Sequence, residues 1–282
     1  MPGTLYMVAT PIGNLEDVTL RALRILRGVS VVAAEDTRRT ARLLQHYSIS
    51  TRTTSLHEHN ERAKTPALIA QLLAGDSIAV VSDAGTPGLS DPGAHLVAAA
   101  HAAGIRVEPV PGASAALAVV SAAGFPDSEF LFLGFPPNRS KDRKIWLARL
   151  SREPRLLVIY EAPHRIAATL KDMLEILGDR VAAVGREVTK MHEELVVRPI
   201  SEHVRLLGQP RGEYALVVKG HEEVVEDTHA VPSPTEMAAE FGELTNNGGF
   251  DRRSAIRNLA ERHRLSARAV FGLLEAAKNS VD

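Results

Sequence analysis

Ser82-Asp83-Ala84-Gly85-Thr86-Pro87-Gly88-Leu89-Ser90-Asp91-Pro92-Gly93 begins where residues 78–82, a nearly all-apolar run, end. Such a run reads as a strand buried on both faces, and the glycine- and proline-rich segment as a loop of little side-chain bulk. Asp91-Pro92 reads as a helix start, with an acceptor at the N-cap and proline at the first helical position; Gly104 reads as the stop. Residues 105–110 form the next strand. Upstream, 5–10 and 29–34 read as strands and 40–46 and 66–73 as helices, while Leu20, Leu23, Ile25, Leu26 and Val29 mark one apolar helical face. Continuous apolar strands separated by helices predict a parallel or mostly parallel sheet covered on both faces.

A second series follows Gly124-Phe125-Pro126. Strands are expected at 130–135, 156–160, 181–186, 195–199 and 214–219, and helices at 141–150, 164–177 and 201–207. The close spacing of the last strands predicts a mixed sheet. The chain therefore reads as two α/β domains, 1–115 and 116–222. The polar, acidic stretch 221–231 reads as a linker. Ser233-Pro234-Thr235-Glu236 has capping-box spacing with proline at the first helical position, and helices are expected at 252–264 and 266–278. Residues 233–282 are thus a small helical extension, and 259–270 resembles helix–turn–helix patterning.

Composition narrows the function. The chain has 282 residues, with 33 Lys+Arg against 34 Asp+Glu. That length supplies a core without metal or disulfide staples. Cysteine is absent, which excludes thiol catalysis, disulfides and Cys-ligated zinc or iron–sulfur centres. The N-terminus lacks a signal-peptide pattern and no apolar stretch is long enough to cross a bilayer, so a cytoplasmic protein is expected. A net charge of −1 gives no global pull toward nucleic acid, so an RNA partner would need a local basic surface. Two stretches carry a local basic excess, at 139–155 and at 252–268, where six arginines face one glutamate; each reads either as a helix surface basic for solubility alone or as a patch for RNA.

In open α/β sheets ligands lie beyond the carboxyl ends of strands. Three loops there are nearly free of side-chain bulk: Thr10-Pro11-Ile12-Gly13-Asn14, the loop quoted first, and Pro111-Gly112-Ala113-Ser114-Ala115. Together they predict a wall of backbone N–H and C=O groups. No GxGxxG unit follows a strand, and no P-loop or GxSxG elbow occurs, which disfavours dinucleotide, NTPase and α/β-hydrolase chemistry. Ala34-Glu35-Asp36-Thr37-Arg38-Arg39 places acids and guanidiniums at one strand end; it reads either as an ordinary helix N-terminus or as an edge for a polyanion. His57-Glu58-His59 lacks a third metal ligand at a recognisable spacing. Glu187, Lys190, His192 and Glu193 read as an ordinary charged turn unless they face the cleft.

The three loops, with Ala34-Glu35-Asp36-Thr37-Arg38 and Tyr160-Glu161-Ala162-Pro163-His164-Arg165, together resemble the ribosomal RNA small-subunit methyltransferase I family of the tetrapyrrole methylase superfamily. The resemblance implies a cleft between two α/β domains that holds S-adenosylmethionine. It also implies methylation of a cytidine 2′-hydroxyl in the decoding region of 16S rRNA, and a homodimer. Carried over by position, Ile12, Gly85, Thr86, Leu89, Ser114, Ala115, Tyr160 and Ala215 would contact the cofactor. Asp36 and Glu58 are candidates for the base that takes the hydroxyl proton, and Arg38, Arg39 and Arg165 for phosphate contacts. No metal is expected. The rival readings are a tetrapyrrole or diphthine-type methyltransferase of the same superfamily, and a non-catalytic RNA-binding protein of ribosome assembly.

Overall fold

The computed structural model describes residues 1–126, 129–221, 232–263 and 265–279. The expected linker, past residue 221, therefore lies outside the described residues. The chain divides into two compact units, Met1–His221 and Glu222–Asp282.

In the first unit, β1 (Thr4–Val8), β2 (Val31–Ala34), β3 (Thr53–Ser55), β4 (Ile78–Val81) and β5 (Arg106–Val110) form a parallel sheet in the order β3-β2-β4-β1-β5. Helices α1 (Leu20–Gly28), α2 (Thr37–His46), α3 (Glu61–Leu73) and α4 (Ala94–Ala102) connect them. The pleat of β4 divides the core between the two faces of the sheet. Ala79 and Val81 pack with Ile25, Leu26 and Leu44 of α1 and α2, whereas Ile78 and Val80 pack with Leu68, Leu72, Leu96 and Ala100 of α3 and α4. The expected doubly covered parallel sheet is thus present.

Two boundaries differ from expectation. Helix α3 starts at Glu61 and carries Pro66 inside it. Helix α4 starts at Ala94, so Asp91-Pro92 stays outside, and its N-cap, Gly93, makes no side-chain cap bond. Glu61 does the capping: its Oε1 accepts the N–H groups of Gly93 at 3.1 Å and Leu96 at 3.0 Å. β3 had no counterpart in the sequence reading.

The second sheet comprises β6 (Phe130–Gly134), β7 (Leu156–Glu161), β8 (Val181–Arg186), β9 (Glu194–Pro199) and β10 (Tyr214–Val218), ordered β6-β7-β10-β8-β9. Only β6 and β7 are parallel, so the sheet is mixed, as expected. Alternate residues again serve opposite cores. Leu157, Ile159 and Leu216 pack with α6 (Ser140–Ala148), α7 (Ile166–Leu177) and α8 (Ile200–Leu206). Val158, Ala183 and Val217 meet Ala116 and Val119 of α5 (Ala115–Ala122). Helix α5 follows the first sheet in sequence and covers the second.

The second unit holds α9 (Pro234–Gly242), α10 (Arg252–Arg262) and α11 (Ala267–Asn279) around Met237, Leu259, Val270 and Leu274. The expected capping box at Ser233 and Glu236 is formed in both directions. Arg257 and Arg268 are exposed, with no carboxylate at ion-pair distance among the described residues.

Candidate functional site

β1 and β4 are neighbours, yet β1 leads on toward β2 on one side and β4 toward β5 on the other. The two connections run in opposite directions over opposite faces of the sheet, α1 on one and α4 on the other, and such a switch point is where open α/β sheets bind ligands. The loops after these strands are joined there. The Thr10 N–H donates to the Gly85 carbonyl at 2.8 Å, and the Gly85 N–H returns to the Thr10 carbonyl at 3.0 Å. Thr86 Oγ1 reaches the Ala113 carbonyl at 3.4 Å, tying in the third loop. Gly85 has φ +81°, and a Cβ there would stand 3.3 Å from Ile12 Cγ2. Glycine therefore meets both a left-handed backbone and a close approach.

The second sheet presents its matching edge. β8 and β10 are antiparallel neighbours, so the end of β8 and the start of β10 meet at the carboxyl end of β7. Tyr160 and Ala215 are cross-strand partners on the α5 side. The Ala116 N–H donates to Tyr160 Oη at 3.2 Å. Ser90 and Gly134 also meet: a Cβ at Gly134 would fall 2.7 Å from Ser90 Oγ. Ser90 has φ 64°, a backbone that costs a non-glycine residue about 1–2 kcal/mol.

Between these edges lies a cavity of about 480 Å³. Ile12, Gly85, Thr86, Leu89, Ser114, Ala115, Tyr160 and Ala215 all line it. So do Glu35, Asp83, Asp91, Phe135 and Lys190, which the sequence reading did not assign to the site. Glu35 and Asp83 interlock the loops after β2 and β4. Glu35 Oε2 accepts the Asp83 N–H at 3.1 Å, and Asp83 Oδ1 accepts the Asp36 N–H at 3.0 Å. Burial pushes the Asp91 carboxyl up to about 6, with a hydrogen bond from Ser82 opposing and the charges of Glu35 and Asp83 adding to the rise. Lys190, expected in an ordinary turn, lines the cavity while its ammonium pairs with Glu187 and Glu213, each at 2.8 Å.

Asp36 and Glu58 are not among the residues lining the cavity. Asp36 caps α2, and a bidentate bond from the Arg38 guanidinium holds its carboxyl far below the usual carboxylate range. Such a group is a poor proton acceptor at neutral pH. Glu58 is exposed beside His57, and among the described residues no group of three or more His, Asp or Glu side chains could hold a metal. Arg38 is exposed and paired to Asp36, while Arg39 lines the cavity and pairs with Asp83 at 3.3 Å. Arg165 is committed elsewhere: it ion-pairs with buried Glu161 at 3.1 Å and donates to Asn138 Oδ1 and to the Pro136 and Pro137 carbonyls.

Comparison with known proteins agrees with this fold. The family model described as Tetrapyrrole (Corrin/Porphyrin) Methylases matches residues 4–203. Among solved structures, diphthine synthase aligns with TM-score 0.62 at 14% identity, covering 77% of this chain and 90% of that one. Uroporphyrin-III C-methyl transferase from Thermus thermophilus complexed with S-adenyl homocysteine aligns with TM-score 0.57 at 20% identity, covering 79% and 99%. These share the fold, and the family match over residues 4–203 makes the molecule a methyltransferase. Ribosomal RNA small subunit methyltransferase I from Escherichia coli O157:H7 is 46% identical over 233 residues, 81% of this chain and 82% of that protein. The protein of the same name from Halalkalibacterium halodurans is 42% identical over 276 residues, 96% and 94% of the two chains. The chain belongs to the ribosomal RNA small subunit methyltransferase I family.

Proposed function

We propose that this chain methylates the 2′-hydroxyl of a cytidine in the decoding region of 16S rRNA, using S-adenosylmethionine. It acts in the cytoplasm on the small ribosomal subunit, as a homodimer. The observation that carries the reading is the convergence of loops from both sheets on one cavity. Its size of about 480 Å³ falls in the ordinary range of small-molecule sites. The relatives named for ribosomal RNA are 42–48% identical to this chain, whereas the uroporphyrin and diphthine enzymes share its fold at 23% identity or less.

The residues fit a ligand built from a purine, a ribose and an amino acid. The Gly85 wall admits a flat group closely, and the carboxylates of Glu35, Asp83 and Asp91 can accept from hydroxyls and an ammonium. Ile12, Gly85, Thr86, Leu89, Ser114, Ala115, Tyr160 and Ala215 would seat it. S-adenosylmethionine, when bound, supplies an electrophilic methyl carbon on a sulfonium. Alignment of acceptor and donor provides most of the acceleration in such a displacement.

Asp91 replaces Asp36 and Glu58 as the proton acceptor in this reading. Its raised pKa of about 6 lets it remain ionised at neutral pH while binding a proton more readily than an ordinary carboxylate does. Asp91 would take the hydroxyl proton on a carboxylate oxygen as the hydroxyl oxygen gains the methyl group and the methyl–sulfonium bond breaks, its electron pair leaving with sulfur as a neutral thioether. Arg38 and Arg39 meet phosphate, and Arg165 acts as a positioning residue for the loop at 136–138.

The test is labelled methyl transfer to small subunits isolated from a strain lacking this enzyme, with uroporphyrinogen as the comparison. Incorporation into 16S rRNA alone is expected. Labelling of the porphyrinogen instead, or of neither, would refute the assignment.

A further inference from the structure

We propose that Phe135 is a stacking platform for an unstacked base of the RNA at the mouth of the cavity. The inference rests on the RNA reading above and specifies how that substrate is held. Phe135 lines the cavity, yet 54% of it is exposed. Its ring leans on Tyr160, with centroids 5.7 Å apart and planes at 57°.

An exposed phenylalanine on a loose loop would need no account. Phe135 is held firmly. It follows Gly134, where Ser90 closes in from the other sheet. The segment after it is clamped by two guanidiniums. Arg143, buried and paired with Asp172 at 2.6 Å, donates to the carbonyls of Pro137 and Asn138, both at 3.2 Å. Arg165 donates to the Pro136 and Pro137 carbonyls and to Asn138 Oδ1. Two arginines thus fix a short loop that leaves an aromatic ring in water beside the reaction cavity.

An aromatic face is what single-stranded RNA recognition uses, because every base offers a π-face and a fixed ring loses little freedom on contact. A nucleotide inside a folded RNA must leave its stack before its sugar can enter a cavity, and the vacated stacking has to be replaced. The charges nearby suit a polyanion. Arg139 and Lys141, a few residues on, are exposed and have no carboxylate at ion-pair distance among the described residues. That favours RNA over a second copy of this chain as the occupant.

The experiment compares full-length wild type with Phe135→Ala, Phe135→Leu and Phe135→Tyr, measuring KM and kcat on small subunits, cofactor affinity by calorimetry, and sedimentation. The expected result is a KM for RNA raised roughly ten- to hundred-fold in the Ala variant. Cofactor affinity and sedimentation stay at wild-type values. Tyr restores KM and Leu does not, since only Tyr keeps the π-face. Equal loss of cofactor affinity would move Phe135 into the cofactor seat and overturn the proposal. So would a changed oligomeric state, rescue by Leu as full as by Tyr, or an unchanged KM. Wild-type protein that methylates no RNA would instead strike the parent reading, independently of the variants.

Discussion

The N–H of Gly93 donates to Glu61 Oε1 across 32 residues, at 3.1 Å. Through this bond and the one from Leu96, a buried carboxylate on α3 satisfies the start of α4 and complements its dipole. It also fixes the chain just past Asp91, so a side chain outside the cavity holds the proposed proton acceptor in place.

Glu61→Ala is expected to lower the unfolding free energy by about 1–3 kcal/mol, the cost of leaving buried N–H groups unpaired. Glu61→Gln keeps an acceptor oxygen and should lose less than half as much. Urea denaturation of both variants measures the difference.

Asp91→Asn should reduce kcat by roughly 10²- to 10⁴-fold, the usual contribution of a positioned general base. In the wild type kcat/KM should fall below about pH 6 as the carboxyl takes up its proton, and the variant should lose that limb. Stability should move the opposite way. The folded protein keeps the Asp91 proton up to about pH 6, whereas the unfolded chain releases it near 3.8. Between those values the folded state binds more protons, so stability declines with rising pH and the penalty is complete above 6. Calorimetric melting should therefore show the variant with a higher Tm at pH 7.5 and no gain near pH 3.5.

Gly85→Ala puts a methyl group on a backbone with φ +81°, at 3.3 Å from Ile12 Cγ2. A left-handed conformation costs an alanine about 1–2 kcal/mol, and the Thr10 bridge gives the loop little room to relax. Cofactor affinity should drop about tenfold while the far-UV spectrum is preserved. Titration calorimetry with S-adenosylmethionine checks it.

Removing residues 233–282 should leave cofactor affinity unchanged and weaken RNA binding, with a shallower dependence on salt. The finer version is the full-length Arg257→Ala, Arg268→Ala double variant. Each lost phosphate contact should reduce the slope of log affinity against log salt by about 1. Filter binding over a salt series reports that slope.

The sheet that builds the cavity was legible because its central strands β2 and β4 are short, wholly apolar runs and the loops after β1, β4 and β5 contain glycine and proline. That pattern alone puts the loops of Ile12, Gly85 and Ser114 on one edge of the sheet. What stayed hidden had no local signature. β3 is Thr-Thr-Ser, with no apolar alternation to mark a strand. Helix α5 packs against the second sheet and shows an almost continuous apolar run in place of a helical stripe. Asp91-Pro92 carries the pattern of an N-cap, but the acceptor for α4 arrives from Glu61, a tertiary contact no local window contains. Phe135 and Lys190 reach the cavity only because β6, β7, β10 and β8 pair with their ends aligned, and pairing partners are not written in the loops themselves.

The contact between Ser90 and Gly134 sets a stop on the aperture between the two sheets. Any side chain at 134 would meet the Ser90 hydroxyl, which would have to turn aside, on a backbone with φ +63° that glycine alone adopts freely. An in-line displacement has little tolerance for misaim, so exchanging one hydrogen for a carbon at a position that touches neither reactant would slow turnover as well as strain the loop.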